Sequence, residues 1–386
     1  MSLNHPITWR ALAVGLLSAA LLTAPVTLAG AFETTAREAL LIDAETGAVL
    51  LVKNPDQPMP PASMSKLMTA YMVFERLKDG SLKLDGTMHV SEKAWRMGGS
   101  KMFVEVDTEV SVEDLLRGII VQSGNDACIV IAEALAGSEE AFAEMMTARA
   151  REIGLTGSSF ANSTGWPDPN HYMTARDLVR LTQSIVTDFP EYFPYFAETS
   201  FTYNEIHQGN RNPLLYKNLG ADGMKTGHTQ EAGYGLTATA QRNGRRLILV
   251  ITGLESTRKR AAEAARLINY GFREFGNYAL FTTGEVVETA DVWLGDKARV
   301  PLIVNSDLTV TLPRASRKDL KVAVVLNAPV PAPIQAGSEI AKLVISAPDI
   351  DPIELPLTAG ESVQRLGMFG RIGAAISYLL FGPPAP

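Results

Sequence analysis

One cysteine, Cys128, among 386 residues leaves no internal disulfide to close. Stability must come from burial, which a chain of this length with 46% hydrophobic residues can supply. Positive charge is also scarce: 35 Lys and Arg stand against 42 Asp and Glu, a formal net charge of −7, so nothing points to nucleic-acid binding. Long apolar runs near the N-terminus are missing too. The stretch 11–22 is too short for a comfortable membrane span. With His5 and Arg10 around its start and the small-residue site Ala29-Gly30-Ala31 after it, it reads as the core of a secretory signal over residues 1–31, with an uncleaved anchor as the alternative. The mature protein then begins near Phe32. Cys128, in the apolar stretch Ala127, Ile129, Val130 and Ile131, reads as a small core residue rather than a catalytic thiol.

Three short strings are present in one order: Ser63-Met64-Ser65-Lys66, Ser123-Gly124-Asn125 and Lys225-Thr226-Gly227. By chance a Ser-x-x-Lys or Ser-x-Asn turns up about once in such a chain and a Lys-Thr-Gly roughly once in ten chains, so the ordered triple is the informative signal. Residues 63–78 are rich in helix formers and are followed by Gly80 as a stop. Positions i and i+3 share a helix face, which puts the Lys66 amine beside the Ser63 hydroxyl. Free N–H groups at a helix start favour the negative charge that grows during acyl transfer. Lysine is a poor base at its free pKa of about 10.4, so Lys66 must be desolvated or lie beside a second cation, for which Lys225 is the candidate. Taken alone, Ser63 and Lys66 read as an N-cap and a solvated lysine on an ordinary helix; the other two strings tip the reading toward a nucleophile and its base.

The triple resembles the penicillin-binding protein and serine β-lactamase signature. Pro61-Ala62-Ser63-Met64-Ser65-Lys66-Leu67-Met68-Thr69, Gln122-Ser123-Gly124-Asn125-Asp126-Ala127-Cys128, Phe160-Ala161-Asn162-Ser163-Thr164-Gly165 and Asp222-Gly223-Met224-Lys225-Thr226-Gly227-His228-Thr229 look like the D-alanyl-D-alanine carboxypeptidase branch, from about residue 37 to the C-terminus. The resemblance implies Ser63 as acylated nucleophile, Lys66 as its base, Ser123 as proton relay to the leaving D-alanine, and Asn125 as holder of the substrate amide. It places Lys225 and Thr226 on a sheet edge where an extended peptide adds as a strand, with Gly227 leaving room for that approach. His228 contributes its backbone N–H to an oxyanion hole, not its ring. Arg260 helps Thr226 bind the terminal carboxylate, with Arg258 as a rival and a solvated first helical turn as the plain alternative.

Two departures separate the chain from class A β-lactamases. Gly124 stands where those carry Asp, and no Glu-x-x-x-Asn follows to position a hydrolytic water. Glu152 comes nearest, with Thr156 where Asn is needed, and reads as a solvated last-turn residue after the amphipathic run 142–153. Fast β-lactam turnover is not expected.

Along the chain a hairpin is expected at 39–43 and 48–53, then helices, then strands at 234–241 and 246–253 and a helix near 256–275. This is an α/β arrangement, an antiparallel sheet flanked by helices with a helical insertion, over residues 32–278. Residues 279–360 change to short alternating runs at 300–304, 308–312, 320–326 and 342–345 between Pro, Gly and Asp, read as a small β-sandwich. The tail, 361–386, carries Phe369, Ile372, Ile376, Leu379 and Leu380 at helical spacing and reads as an amphipathic anchor lying in the inner-membrane surface rather than docking on the protein or spanning. The expectation is a periplasmic serine carboxypeptidase that removes the terminal D-alanine from peptidoglycan stem pentapeptides, is acylated by β-lactams, and needs no metal or organic cofactor. A DD-endopeptidase cutting cross-links, or a wall-binding scaffold with a weak site, are the alternatives.

Overall fold

The protein is seen in a computed structural model that describes residues 32–327, 329–348 and 350–381. The expected secretory signal at 1–31 lies outside the described residues. Strands β1 (Ala39–Asp43) and β2 (Val49–Lys53) make the first hairpin; β3 (Ala221–Thr229), β4 (Gly233–Arg242) and β5 (Arg245–Leu254) complete a sheet of order β2-β1-β5-β4-β3 among the described residues. All its pairings are antiparallel, with β1 against β5 at Ala39↔Ile251 and Asp43↔Leu247. Asn243 and Gly244, at φ 51° and 83°, turn β4 into β5 as a tight hairpin in which both central residues need positive φ. The sheet alternates as a covered strand must. Leu40, Ile42, Ile248 and Val250 face the helical core, whereas Leu41 and Leu247 lie beside Gly271 on the other side of the sheet.

Helix α1 (Lys66–Lys78) runs through the interior, with every residue from Lys66 to Phe74 buried. It packs against α2 (Asn125–Ala136), α3 (Glu139–Glu152) and α4 (Ala175–Asp188) in one apolar core. Hydroxyls cap two of these helices: Ser138 accepts from the Ala141 N–H at the start of α3 and Thr174 from the Asp177 N–H at the start of α4. Glu152 is exposed in the last turn of α3, its carboxylate taken by Arg149 at 2.6 Å. Helix α5 (Thr257–Glu274), capped by Ser256, covers the other face of the sheet. The chain therefore leaves the sheet after β2, builds the helical region, and returns for the edge strand β3.

The C-terminal part begins with β6 (Phe275–Phe281), which straddles the boundary expected at 278/279, and continues through β7 (Val286–Trp293), β8 (Arg299–Ile303) and β9 (Leu308–Pro313). Then come β10 (Lys321–Val325), β11 (Val330–Pro331), β12 (Glu339–Ser346) and β13 (Ile353–Ala359). Six of these strands form one sheet, β10-β12-β13-β8-β7-β11, and β6 pairs with β9 in another. Val300, Leu302, Val310, Leu312, Leu343, Ile345 and Leu357 fill the space they enclose. The run expected to begin the tail at 361 still belongs to this β domain: Val363 is fully buried, and the Leu366 N–H donates to Leu294 O at 2.8 Å. Helix α6 (Met368–Phe381) starts only after it.

Candidate active site

The nucleophile's turn is set by steric exclusion. Ala62 to Ser65 form a 3-10 turn, so Ser63 lies just ahead of the α-helix instead of inside it, and Ala62 is forced to φ +49°. Three glycines make the space for that turn. A Cβ on Gly165 would stand 2.0 Å from Ala62 O, one on Gly227 2.7 Å from Pro61 O, and one on Gly235 2.8 Å from Met64 Cε. This corrects the reading of Gly227. The room it leaves is filled by the turn carrying Ser63, not by an incoming peptide.

Lys66, one turn on, is 1% exposed, and its Nζ donates to Ser63 Oγ at 2.9 Å, Asn125 Oδ1 at 2.7 Å and Thr164 O at 2.5 Å. Two of those partners are amide oxygens that can only accept. When Lys66 is a neutral amine they hold its two remaining N–H bonds, which turns the lone pair toward Ser63. Burial pushes the Lys66 pKa down to about 8, and the Arg211 guanidinium adds to the push against Asp126 and Glu139. Lys225, also buried, is lowered well below the ordinary lysine value, first by desolvation and then by the charge of Lys66. The charge of Lys66 thus acts on Lys225, but the cation that acts most on Lys66 is Arg211 rather than the expected Lys225, and burial is the larger cause at both.

The second string supplies position more than reach. Ser123 sits at φ +62° after a π-helical turn, Gly118–Gln122, and its buried Oγ has no hydrogen-bond partner among the described residues. Asn125 uses both ends of its amide within the protein: Oδ1 accepts from Lys66 and Nδ2 donates to Gly98 O at 2.9 Å. Gly124 is needed for packing, because a Cβ there would meet Asp126 Oδ1 at 2.8 Å and the Met102 N at 3.1 Å. The buried Asp126 carboxylate accepts the N–H groups of Met102, Phe103 and Val104 at 2.9, 2.8 and 3.3 Å and so fixes the loop whose Gly98 carbonyl steadies Asn125.

Among the described residues strand β3 is an edge of the sheet, paired only to β4, with Lys225 opposite Thr237 and Thr226 opposite Leu236. His228 is exposed at its end, its ring stacked on Tyr234 at 3.9 Å between centroids. Arg260 is 7% exposed and lies over the same tyrosine at 5.8 Å, with Nη2 donating to Arg211 O at 3.5 Å, whereas Arg258 is exposed to solvent. The buried member of the basic run is therefore Arg260. A cavity of about 290 Å³ opens over Ser63, lined by Gly99, Ser100, Asn125, the run Thr164–Pro167, His228 and Thr229. Lys66, Ser123, Lys225 and Thr226 are buried and do not line it. Sequence reasoning missed Arg211, whose Nη1 donates to Ser100 Oγ at 2.5 Å, and Trp166 at the cavity mouth. Neither lies in a motif. The Thr164 carbonyl was within reach, since Thr164-Gly165 closes one of the strings quoted above.

Comparison with known proteins agrees with this geometry. The family model described as D-alanyl-D-alanine carboxypeptidase matches residues 25–256, and that of the penicillin-binding protein 5 C-terminal domain matches residues 275–365. The chain is 38% identical over 345 residues to the D-alanyl-D-alanine carboxypeptidase DacC of Escherichia coli K12, covering 87% of this chain and 86% of the relative. It superposes on penicillin-binding protein 5 of Haemophilus influenzae with a TM-score of 0.77 at 36% identity, over 86% of this chain and 98% of the other. It also resembles penicillin-binding protein D2 of Listeria monocytogenes in its ampicillin-bound form, with a TM-score of 0.58 at 28% identity, over 63% of this chain and all of that one.

Acylation of Ser63 by an activated acyl donor should rise with pH, because only neutral Lys66 accepts the proton. At pH 7, about one unit below the Lys66 pKa, roughly a tenth of the enzyme has the free amine, so the rate should climb about tenfold and level off above pH 9. Lys66→Arg keeps the charge without a neutral form and should lower acylation by at least about a hundredfold. Stopped-flow acylation across pH 6–10 checks both; a flat profile would move the base elsewhere.

Proposed function

The chain belongs to the D-alanyl-D-alanine carboxypeptidase family and is a serine D-Ala-D-Ala carboxypeptidase of the penicillin-binding protein type; on that premise we propose how its own residues divide the work. Ser63 Oγ attacks the carbonyl between the two D-alanines while its proton passes to the neutral Lys66 amine. The new oxyanion is met by the backbone N–H groups of Ser63 and His228. Collapse breaks the C–N bond; the departing D-alanine amine takes a proton from the Lys66 ammonium through Ser123, and water later hydrolyses the ester at Ser63. Thr226 and Arg260 hold the terminal carboxylate, with Lys225 beside Thr226 on the same strand, and the stem peptide adds along the edge of β3. Penicillin opens its ring on Ser63 by the same first step. The observation that carries this reading is the Lys66 amine held 2.9 Å from Ser63 Oγ between two oxygens that can only accept.

The same reading extends to the protein's place in the cell: exported by its N-terminal signal and attached to the outer face of the cytoplasmic membrane by α6. Phe369 and Leu379 are 84% and 83% exposed, and Met368 and Ile372 are more than half exposed, which is a costly state in water and a favourable one at a lipid interface. No helix among the described residues is long and apolar enough to cross a membrane.

Two experiments test these assignments. Wild-type protein incubated with a pentapeptide should release one D-alanine, seen by mass, and should form a covalent adduct with fluorescent penicillin; Ser63→Ala should lose both while unfolding at the same temperature. Adduct formation by the alanine variant at full stoichiometry would remove Ser63 from its role. A cross-linked dimer offered in parallel should be cut much more slowly, and preferred cutting of the dimer would make the enzyme an endopeptidase. Deletion from Met368 onward, which spares Val363 and the β core, should release the protein to the soluble fraction with its rate on a soluble D-Ala-D-Ala peptide unchanged. Retention on membranes would place the anchor at the N-terminus instead.

A further inference from the structure

Half of the Trp166 side chain is in contact with solvent, 49% exposed, although a tryptophan in a protein of this size is ordinarily well covered. Its exposure is not looseness. The Trp166 N–H donates to Asn162 Oδ1 at 3.0 Å and to Thr164 Oγ1 at 3.1 Å, while the Trp166 carbonyl accepts from Asn162 Nδ2 at 3.0 Å. Asn162 Oδ1 also accepts the N–H groups of Thr164 and Gly165. One asparagine thus fixes the backbone that carries both the Lys66-binding carbonyl of Thr164 and the indole two residues later. The ring is held edge-on as well: a Cβ on Gly99 would come within 3.0 Å of Trp166 Cζ3, so glycine is what lets the indole close against that loop.

The cavity over Ser63 is lined by His228 and Thr229 from the edge strand and by Trp166 and Pro167 from the loop after Thr164. A peptide that pairs with β3 and sets its scissile carbonyl on Ser63 has its preceding residue about 3.3 Å further along, and Trp166 lines the same cavity as Ser63 and the strand residues His228 and Thr229. An exposed, preorganised aromatic face beside an extended peptide is a recognition surface, because it offers contact area with little side-chain entropy to lose. We propose that Trp166 forms a subsite for the side chain of the residue that precedes D-Ala-D-Ala, and that it selects a long aliphatic chain at that position. The inference rests on the carboxypeptidase reading above and specifies which acyl donors it takes.

The test compares kcat/KM for two soluble peptides, acetyl-(Nε-acetyl-L-lysyl)-D-Ala-D-Ala and acetyl-glycyl-D-Ala-D-Ala, as a ratio. A structural defect that slows Ser63 lowers both rates and cancels; loss of the subsite does not. Wild type should prefer the lysyl peptide, and Trp166→Ala should cut that preference about tenfold, mainly through KM, which is the discrimination an apolar pocket can supply for one or two methylenes. Trp166→Phe, which keeps a flat ring, should retain most of the preference, and Trp166→Leu serves if the alanine variant does not fold. An unchanged ratio in the alanine or leucine variant, or no preference in wild type, overturns the proposal. Failure of wild type to hydrolyse either peptide would instead strike the carboxypeptidase reading and remove the subsite with it.

Discussion

The burial of one lysine amine beside one serine is the constraint on which the rest of the site depends. An ammonium removed from water loses solvation that nearby oxygens only partly replace, so the proton is held less tightly and Lys66 becomes a base near pH 8. Desolvation alone would leave the amine free to turn. The Asn125 amide oxygen and the Thr164 carbonyl oxygen prevent that, since each binds one N–H and neither oxygen can donate in return. Positive charge from Arg211 pushes in the same direction as burial, and Asp126 and Glu139 push against it.

That arrangement explains why the fold is wound as it is. The turn bearing Ser63 is pressed between a loop from the helical region, through Gly165, and two strands of the sheet, through Gly227 and Gly235. A sheet split between the first hairpin and three late strands is what allows the edge strand to reach back to residues read near the start of the chain. Asp126 extends the same logic. A buried carboxylate saturated by backbone N–H groups locks the 98–104 loop, whose carbonyl at Gly98 orients Asn125, which orients Lys66.

Much of this was legible in the sequence wherever it is written in local pattern. The hairpin at 39–43 and 48–53 and the pairing of Ser63 with Lys66 three residues apart follow from local pattern, and the position of the Lys225 string on an edge strand came with the family resemblance. What was not legible depends on tertiary neighbours. Gly227 has its meaning only once Pro61 is known to pack on it, and nothing local shows that the Asn125 amide is bonded to Lys66 and Gly98. Arg211 and Trp166 come from irregular loops with no period to announce them. Strand β13 was passed over because Pro356 interrupts it, and β7 because Glu288, Thr289 and Asp291 break its apolar alternation. The start of the tail was placed at 361 because hydropathy does not reveal that Val363 closes the β core.

The ionisation of Lys66 itself can be followed directly. In protein labelled with ¹³C at the lysine ε-carbon, the Lys66 resonance, assigned by its loss in Lys66→Arg, should titrate with a midpoint near 8 and should move further down when a positive charge is held nearby or up when Arg211 is replaced by Gln. A midpoint at the ordinary lysine value of 10.5 would mean that the amine beside Ser63 stays charged at working pH and that the base lies elsewhere.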